Sequence, residues 1–300
     1  MPIDHADPAD DPAPPDRPRP PDTPQPPGKP PRPADAADRA AAHHAYRAKV
    51  DQVYAADRSW AEAVPSLRAA WGKHQDQYPE RGRPTPRTHP DNSWSCGDTR
   101  KLTPDQNTAV DRGYASIRET GERDIVPKVL AAESEDPNRH LAGFDHHIKG
   151  ADRLKEKIAD RIRVEGRTVG EALAEIPDTV RFTFQYSESS YATGVRGDVK
   201  RLEDQGFIQV DWRNTWKDDQ YKGINSRWRE PDSRVLFEVQ FHTQASLEAK
   251  ELTHQAYERI RSTAQDDERV ILKEFQRRVN ATIPIPPGAT EIEDYPHGGK

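Results

Sequence analysis

Phe237-Glu238-Val239-Gln240-Phe241-His242-Thr243 alternates large apolar residues with a carboxylate, an amide and an imidazole. A period of two marks a strand whose successive side chains point to opposite faces. Phe237, Val239 and Phe241 belong to a core. Glu238, Gln240 and His242 fall on the other face, which the alternation makes a solvent face, and three functional groups in a row are unusual there.

Working outward, β-branched and aromatic runs predict further strands at about 141–148, 179–186, 207–212 and 222–229. Helical periodicity fills 152–163, 168–174, 189–205, 245–264 and 267–280. The expectation is an α+β fold, a mixed sheet of four or five strands flanked by helices mainly on one face. The strand-helix-strand unit at 179–212 favours parallel pairing there. The short connection before 235–242 makes that strand antiparallel to its predecessor.

The regions before and after this core differ in composition. Residues 1–34 hold 14 of the 28 prolines, so that segment reads as a disordered or polyproline II-like arm. Residues 35–135 read as a helical lead-in interrupted by an irregular loop at 79–103. Pro65 ends or kinks its first helix. Thr103, Pro104 and Gln106 form a capping box that opens another. The α/β region spans 136–282, and 283–300 reads as a loose tail.

Composition narrows the class of function. A net charge of −6 argues against a whole-chain polyanion binder but allows a local basic cleft. One cysteine, Cys96, excludes an intrachain disulfide and suits a reducing compartment. No apolar run approaches the ~18 residues of a membrane span. The N-terminus has no Sec-type signal, so a cytoplasmic place is expected, with export by another route left open. His146 and His147, adjacent on an expected strand, point to opposite faces and cannot share one metal. No glycine cluster forms a phosphate-binding loop, so phosphates would have to be held by lysine and arginine.

The order of polar segments carries a resemblance. A basic stretch (His146-His147-Ile148-Lys149-Gly150, then Arg153 and Lys157) precedes Asp178-Thr179-Val180-Arg181. Tyr221-Lys222-Gly223-Ile224-Asn225 and the Glu238-x-Gln240-x-x-Thr243 strand follow. Over about 140–262 this resembles the synthetase domain of the RelA/SpoT family, the pyrophosphate-transferring alarmone synthetases. More narrowly it is similar to the actinobacterial branch described as ATP nucleotide 3′-pyrophosphokinases.

The resemblance implies transfer of the β,γ-pyrophosphate of ATP to the 3′-hydroxyl of a purine nucleotide, with Mg²⁺ as cofactor. It makes Asp178 a metal carboxylate and Glu238 a second metal ligand or the base. Lys149, Arg153, Lys157 and Arg181 would face phosphates, and Tyr221 would stack on the acceptor base. Lys222, Asn225, Gln240 and His242 complete the expected nucleotide contacts. Asn225 stands where the family has histidine. His242 stands where it has arginine, and supplies a cation only when protonated. Two other readings stay open: a toxin-type relative acting on another acceptor such as the tRNA 3′ end, the only reading that involves nucleic acid, and an inactive nucleotide-binding or scaffold module.

Overall fold

The computed structural model describes residues 58–79, 84–134, 139–262 and 266–293. The expected arm, the first part of the helical lead-in and the last seven residues lie outside these. Helix α1 (Arg58–Gln77) leads into strands β1 (Arg87–Thr88), β2 (Trp94–Cys96) and β3 (Arg100–Leu102). Helix α2 (Pro104–Thr120) continues through a π-helical turn, Gly121–Ile125, into α3 (Val126–Ser134). Then come β4 (Arg139–Leu141), α4 (Ala151–Glu165), α5 (Val169–Ala174), β5 (Arg181–Tyr186) and α6 (Tyr191–Asp204). Strands β6 (Ile208–Asn214), β7 (Ile224–Arg229) and β8 (Leu236–Thr243) are followed by α7 (Gln244–Ser262) and α8 (Asp266–Ala281). The fold is α+β as expected. Among the described residues no helix is long and apolar enough to cross a membrane.

Five strands form the main sheet in the order β4-β5-β8-β7-β6. The strand read first, β8, lies at its centre, parallel to β5 and antiparallel to β7. The antiparallel expectation for β7 and β8 is met. Parallel pairing of β5 with β6 is not: the two run in the same direction, but β8 and β7 lie between them. The segment predicted as a strand at 141–148 is mostly turn. It breaks after Leu141 into a 3₁₀ turn at Phe144–His146 and rejoins through one bridge, Ile148 to Val180.

One face of the sheet is apolar, with Phe182, Phe184, Phe237, Val239 and Phe241 buried. Helix α6 packs on it, and the Tyr191 hydroxyl donates to the Phe241 carbonyl at 2.9 Å. Helices lie on both faces rather than mainly on one. Helix α7 folds back along the polar face, so that Ser246, Lys250 and Glu258 meet His242, Gln240 and Arg153 in turn. These positions are four and eight residues apart, which puts them on one stripe of a helix. Helix α1 packs outside α7, with Trp60 Nε1 donating to Glu248 at 2.9 Å and Trp71 Nε1 to Gln255 at 3.1 Å. It runs through Pro65 as one helix.

Two expected irregular regions are ordered. Part of the 79–103 loop forms the small antiparallel sheet β1-β2-β3. Its Trp94, Cys96 and Leu102 build a second core with Leu154, Ile158 and Ala159 of α4. Trp94 Nε1 donates to Asp152 at 3.0 Å and Arg100 Nε to Asp160 at 2.8 Å, so this sheet buttresses α4. The tail expected to be loose from 283 buries Ile283, Ala289 and Ile292 in the main core. Asn214 Nδ2 holds it by donating to the carbonyls of Ala289 and Ile292, both at 2.8 Å.

Candidate nucleotide site

The polar row of β8 is buried. Glu238, Gln240 and His242 are 2%, 0% and 0% exposed, so the face expected to meet solvent is a closed polar layer. Register places Arg181 and Arg227 on either side of Glu238. Asn225 and Thr183 flank Gln240 in the same way. Partners in register share a face. Arg181, Asn225 and Arg227, with Lys149, Lys157 and Tyr221 that bond Asp178 and His242, are partly exposed and rim a floor made of Asp178, Glu238, Gln240 and His242.

Asp178 sits in a 3₁₀ turn, Pro177–Thr179, at the mouth of β5. Beside it, Lys149 N donates to Thr179 O at 2.8 Å and Arg181 N to His147 O at 2.7 Å. That short ladder sets Lys149 against the carboxylate, and Lys157 arrives two turns into α4. Both ammonium groups bond Asp178 Oδ2, Lys157 at 2.6 Å. Burial pushes the Asp178 carboxyl up, but Lys149 and Lys157 outweigh it and hold it well below the usual carboxylate range. Burial brings the Lys149 ammonium down to about 8, against the pull of Asp178.

Glu238 goes the other way. Burial pushes it up to about 7, with Arg181 opposing and the Asp178 charge adding to the rise. Its Oε1 accepts from Gln240 Nε2. The Glu238 amide donates to Val180 O at 2.9 Å, which ties it to the strand that Asp178 opens. Two carboxylates on one floor are thus driven apart, one firmly ionised and one poised near neutrality.

His242 is neutral. Burial lowers it well below its ordinary value, and Lys250 and Arg181 lower it further. Both ring nitrogens are engaged, Nε2 with Tyr221 Oη at 2.8 Å and Nδ1 with Ser246 Oγ at 2.9 Å. Tyr221 Oη also meets Asn225 Oδ1 at 2.9 Å. Its ring stands edge-on to the imidazole.

Three polar atoms here are buried without a hydrogen-bond partner: Asp178 Oδ1, Arg181 Nη1 and Asn225 Nδ2. Leaving such atoms unmatched costs about 1–3 kcal/mol each. Asp178 Oδ1 and the Glu238 carboxylate could each offer an oxygen to a hard cation. Among the described residues no group of three or more His, Cys, Asp or Glu forms a metal cage. Mg²⁺ binds one or two carboxylates and takes its other ligands from phosphates and water, a donor set that the unmatched Asp178 Oδ1 and the Glu238 carboxylate fit.

No family model matches the chain, and no curated protein does. Solved structures do show a likeness. The small alarmone synthetase 1 of Bacillus subtilis, bound to its product pppGpp, is 15% identical over 60% of this chain and 92% of its own, with a TM-score of 0.38. A GTP pyrophosphokinase family protein from Streptococcus pneumoniae is 14% identical over 64% of this chain and 94% of its own, with a TM-score of 0.40.

Two of the residues picked from the sequence are not brought to the floor. Arg153 lies along α4 from Lys157, but its guanidinium turns to Glu258 Oε1 at 2.9 Å. Lys222 is buried with its ammonium on the carbonyls of Trp216 and Asp218, where it ties down the 215–222 loop. His146 and His147 lie in a turn, and His147 stacks on both Phe144 and Phe182, which also touch each other. Lys250, which the sequence reading did not single out, reaches the floor from α7 and donates to Gln240 Oε1 at 2.6 Å.

Gly223 is required by the row. Its φ is +150°, and a Cβ there would lie 2.7 Å from His242 Cε1 and 3.2 Å from the Phe241 carbonyl oxygen. Gly223→Ala is expected to destabilise the fold by about 1–3 kcal/mol, since neither neighbour can yield freely. Urea unfolding checks this. Wild-type stability would show that the His242 ring is not held against residue 223.

Proposed function

We propose that this face binds ATP and a purine nucleotide and transfers pyrophosphate between them, in the manner of a RelA/SpoT-type synthetase. The observation that supports the reading is the set of unmatched buried atoms, Asp178 Oδ1, Arg181 Nη1 and Asn225 Nδ2, around two carboxylates of opposite protonation tendency. A carboxylate oxygen asks for a cation, a guanidinium for phosphate, and an amide donor for a base or sugar oxygen.

In this reading Lys149 and Lys157 keep Asp178 ionised and place positive charge beside the phosphates. Asp178, with Glu238 close by, would hold Mg²⁺, which when bound draws off charge from the phosphate oxygens. Glu238 takes the proton of the acceptor's 3′-hydroxyl. The freed 3′-oxygen bonds to the β-phosphorus of ATP, the bond from that phosphorus to the α,β-bridging oxygen breaks, and AMP leaves. Arg181 faces the charge that develops, and the Tyr221 ring offers a face for the acceptor base. Most of the rate comes from in-line positioning.

The reading is tested by incubating the full chain with ATP, Mg²⁺ and GDP, GTP, AMP, ADP or ATP as acceptor, and resolving products by chromatography. AMP and a 3′-pyrophosphorylated nucleotide are expected from the wild type and not from Glu238→Ala. No AMP with any acceptor, in either protein, would rule the reading out.

A further inference from the structure

Lys250 is a buried cation that the mechanism above does not use. It is 5% exposed, on the stripe of α7 that folds over the polar face, with its ammonium 2.6 Å from Gln240 Oε1. Removing an ammonium from water costs several kcal/mol unless acceptors meet it, and the Gln240 side-chain oxygen is one acceptor that does.

We propose that Lys250 is a positioning residue that fixes the polarity of Gln240 and through it the orientation of Glu238. An ammonium has donors and no acceptor, so the amide must turn its oxygen to Lys250. Its Nε2 is then committed to Glu238 Oε1, as observed. Without the cation either end of the amide could face the carboxylate, and an oxygen facing an oxygen would push Glu238 away. His242 cannot take this part, because its ring is neutral and both nitrogens are spent on Tyr221 and Ser246. The charge of Lys250 also acts directly on Glu238 and on His242. A strand carrying carboxylate, amide and imidazole thus borrows its cation from the following helix.

The proposal rests on the pyrophosphate-transfer reading for its kinetic consequence but not for its geometry. Lys250→Met, Lys250→Arg and the wild type are compared in two measurements. In the first, Lys250→Met is expected to lose about tenfold or more in kcat, with KM for both nucleotides within about threefold of wild type. Lys250→Arg should regain most of that loss. Met at wild-type kcat, or a loss confined to KM, would overturn the proposal. The second is independent of turnover. The side-chain amide protons of Gln240, followed by nitrogen-15 NMR, should exchange slowly in wild type and Lys250→Arg, and at least about tenfold faster in Lys250→Met. Unchanged exchange in Lys250→Met would overturn the bridge. Faster exchange in a protein that makes no AMP would uphold the bridge and refute the reaction. Lys250→Gln replaces Lys250→Met if the latter does not fold.

Discussion

Glu238→Gln is expected to lower turnover by about 10²–10⁴-fold while making the folded protein more stable at pH 8. The activity loss follows from removing the base. The gain in stability follows from the cost of its charge. Glu238 has an ordinary value of 4.5 and is pushed up to about 7 in the folded chain. The folded state therefore holds this proton more tightly than the unfolded state. Its contribution is fully present below about pH 4.5 and is lost as pH rises through 7. Above that the ionised carboxylate costs on the order of 3 kcal/mol. Glutamine does not titrate, keeps an oxygen for Gln240 and avoids the cost. Thermal unfolding should show Glu238→Gln several degrees above wild type at pH 8, converging near pH 5. Glu248, also pushed up to about 7, is unchanged between the two proteins and cancels in the difference. A variant less stable than wild type at pH 8 would mean that the buried carboxylate is fully compensated.

Asp178→Asn should do the opposite to stability. Two ammonium groups converge on Asp178 Oδ2, and Lys149 is nearly as buried as the carboxylate. Breaking such a cluster from one side leaves charge buried and unpaired, at a cost of about 3–5 kcal/mol. Asp178 is held below its ordinary 3.8, so its contribution is present above about pH 4 and fades as pH falls further. The gap between wild type and Asp178→Asn should close in that acid range. Removing Lys149 as well ought to return part of the loss, because the stranded cation goes with it. Urea unfolding of Asp178→Asn, Lys149→Met and the double variant decides this. Additive losses would mean that the two side chains do not depend on each other.

The alternation of β8 was legible because a period of two survives in any surroundings. Its inner polar face was not, since burial there depends on α7 folding back, and nothing within 237–243 encodes a helix that follows it. The same fold-back hid Lys250, which stands between Glu248 and Glu251 and reads as part of a solvated helix face. Directions of strands could be inferred from their connections, but neighbours could not: β8 enters between β5 and β7 although β6 follows β5 in the chain. The strands within 79–103 are two or three residues long, too short to show a period. Lys149 and Asp178, 29 residues apart, were both visible as charged residues in a suggestive order. What brings them together is the 147–149 segment bonding along 179–181, a tertiary contact. Arg153 shows the converse error. Its four-residue spacing from Lys157 suggested a common target, yet Glu258 on α7 lies nearer to one end of that face.

The central claim, that this floor moves a pyrophosphate group rather than hydrolysing ATP or merely holding it, is tested most directly by following a β-phosphorus label. The full chain is given ATP labelled at the β-phosphate, Mg²⁺ and a purine nucleotide acceptor, and the products are separated by mass. Unlabelled AMP and an acceptor heavier by one labelled pyrophosphate on its 3′-oxygen are expected, both formed at least about 100-fold more slowly with Glu238→Gln. Label recovered only in ADP, in free pyrophosphate or in unreacted ATP would contradict it.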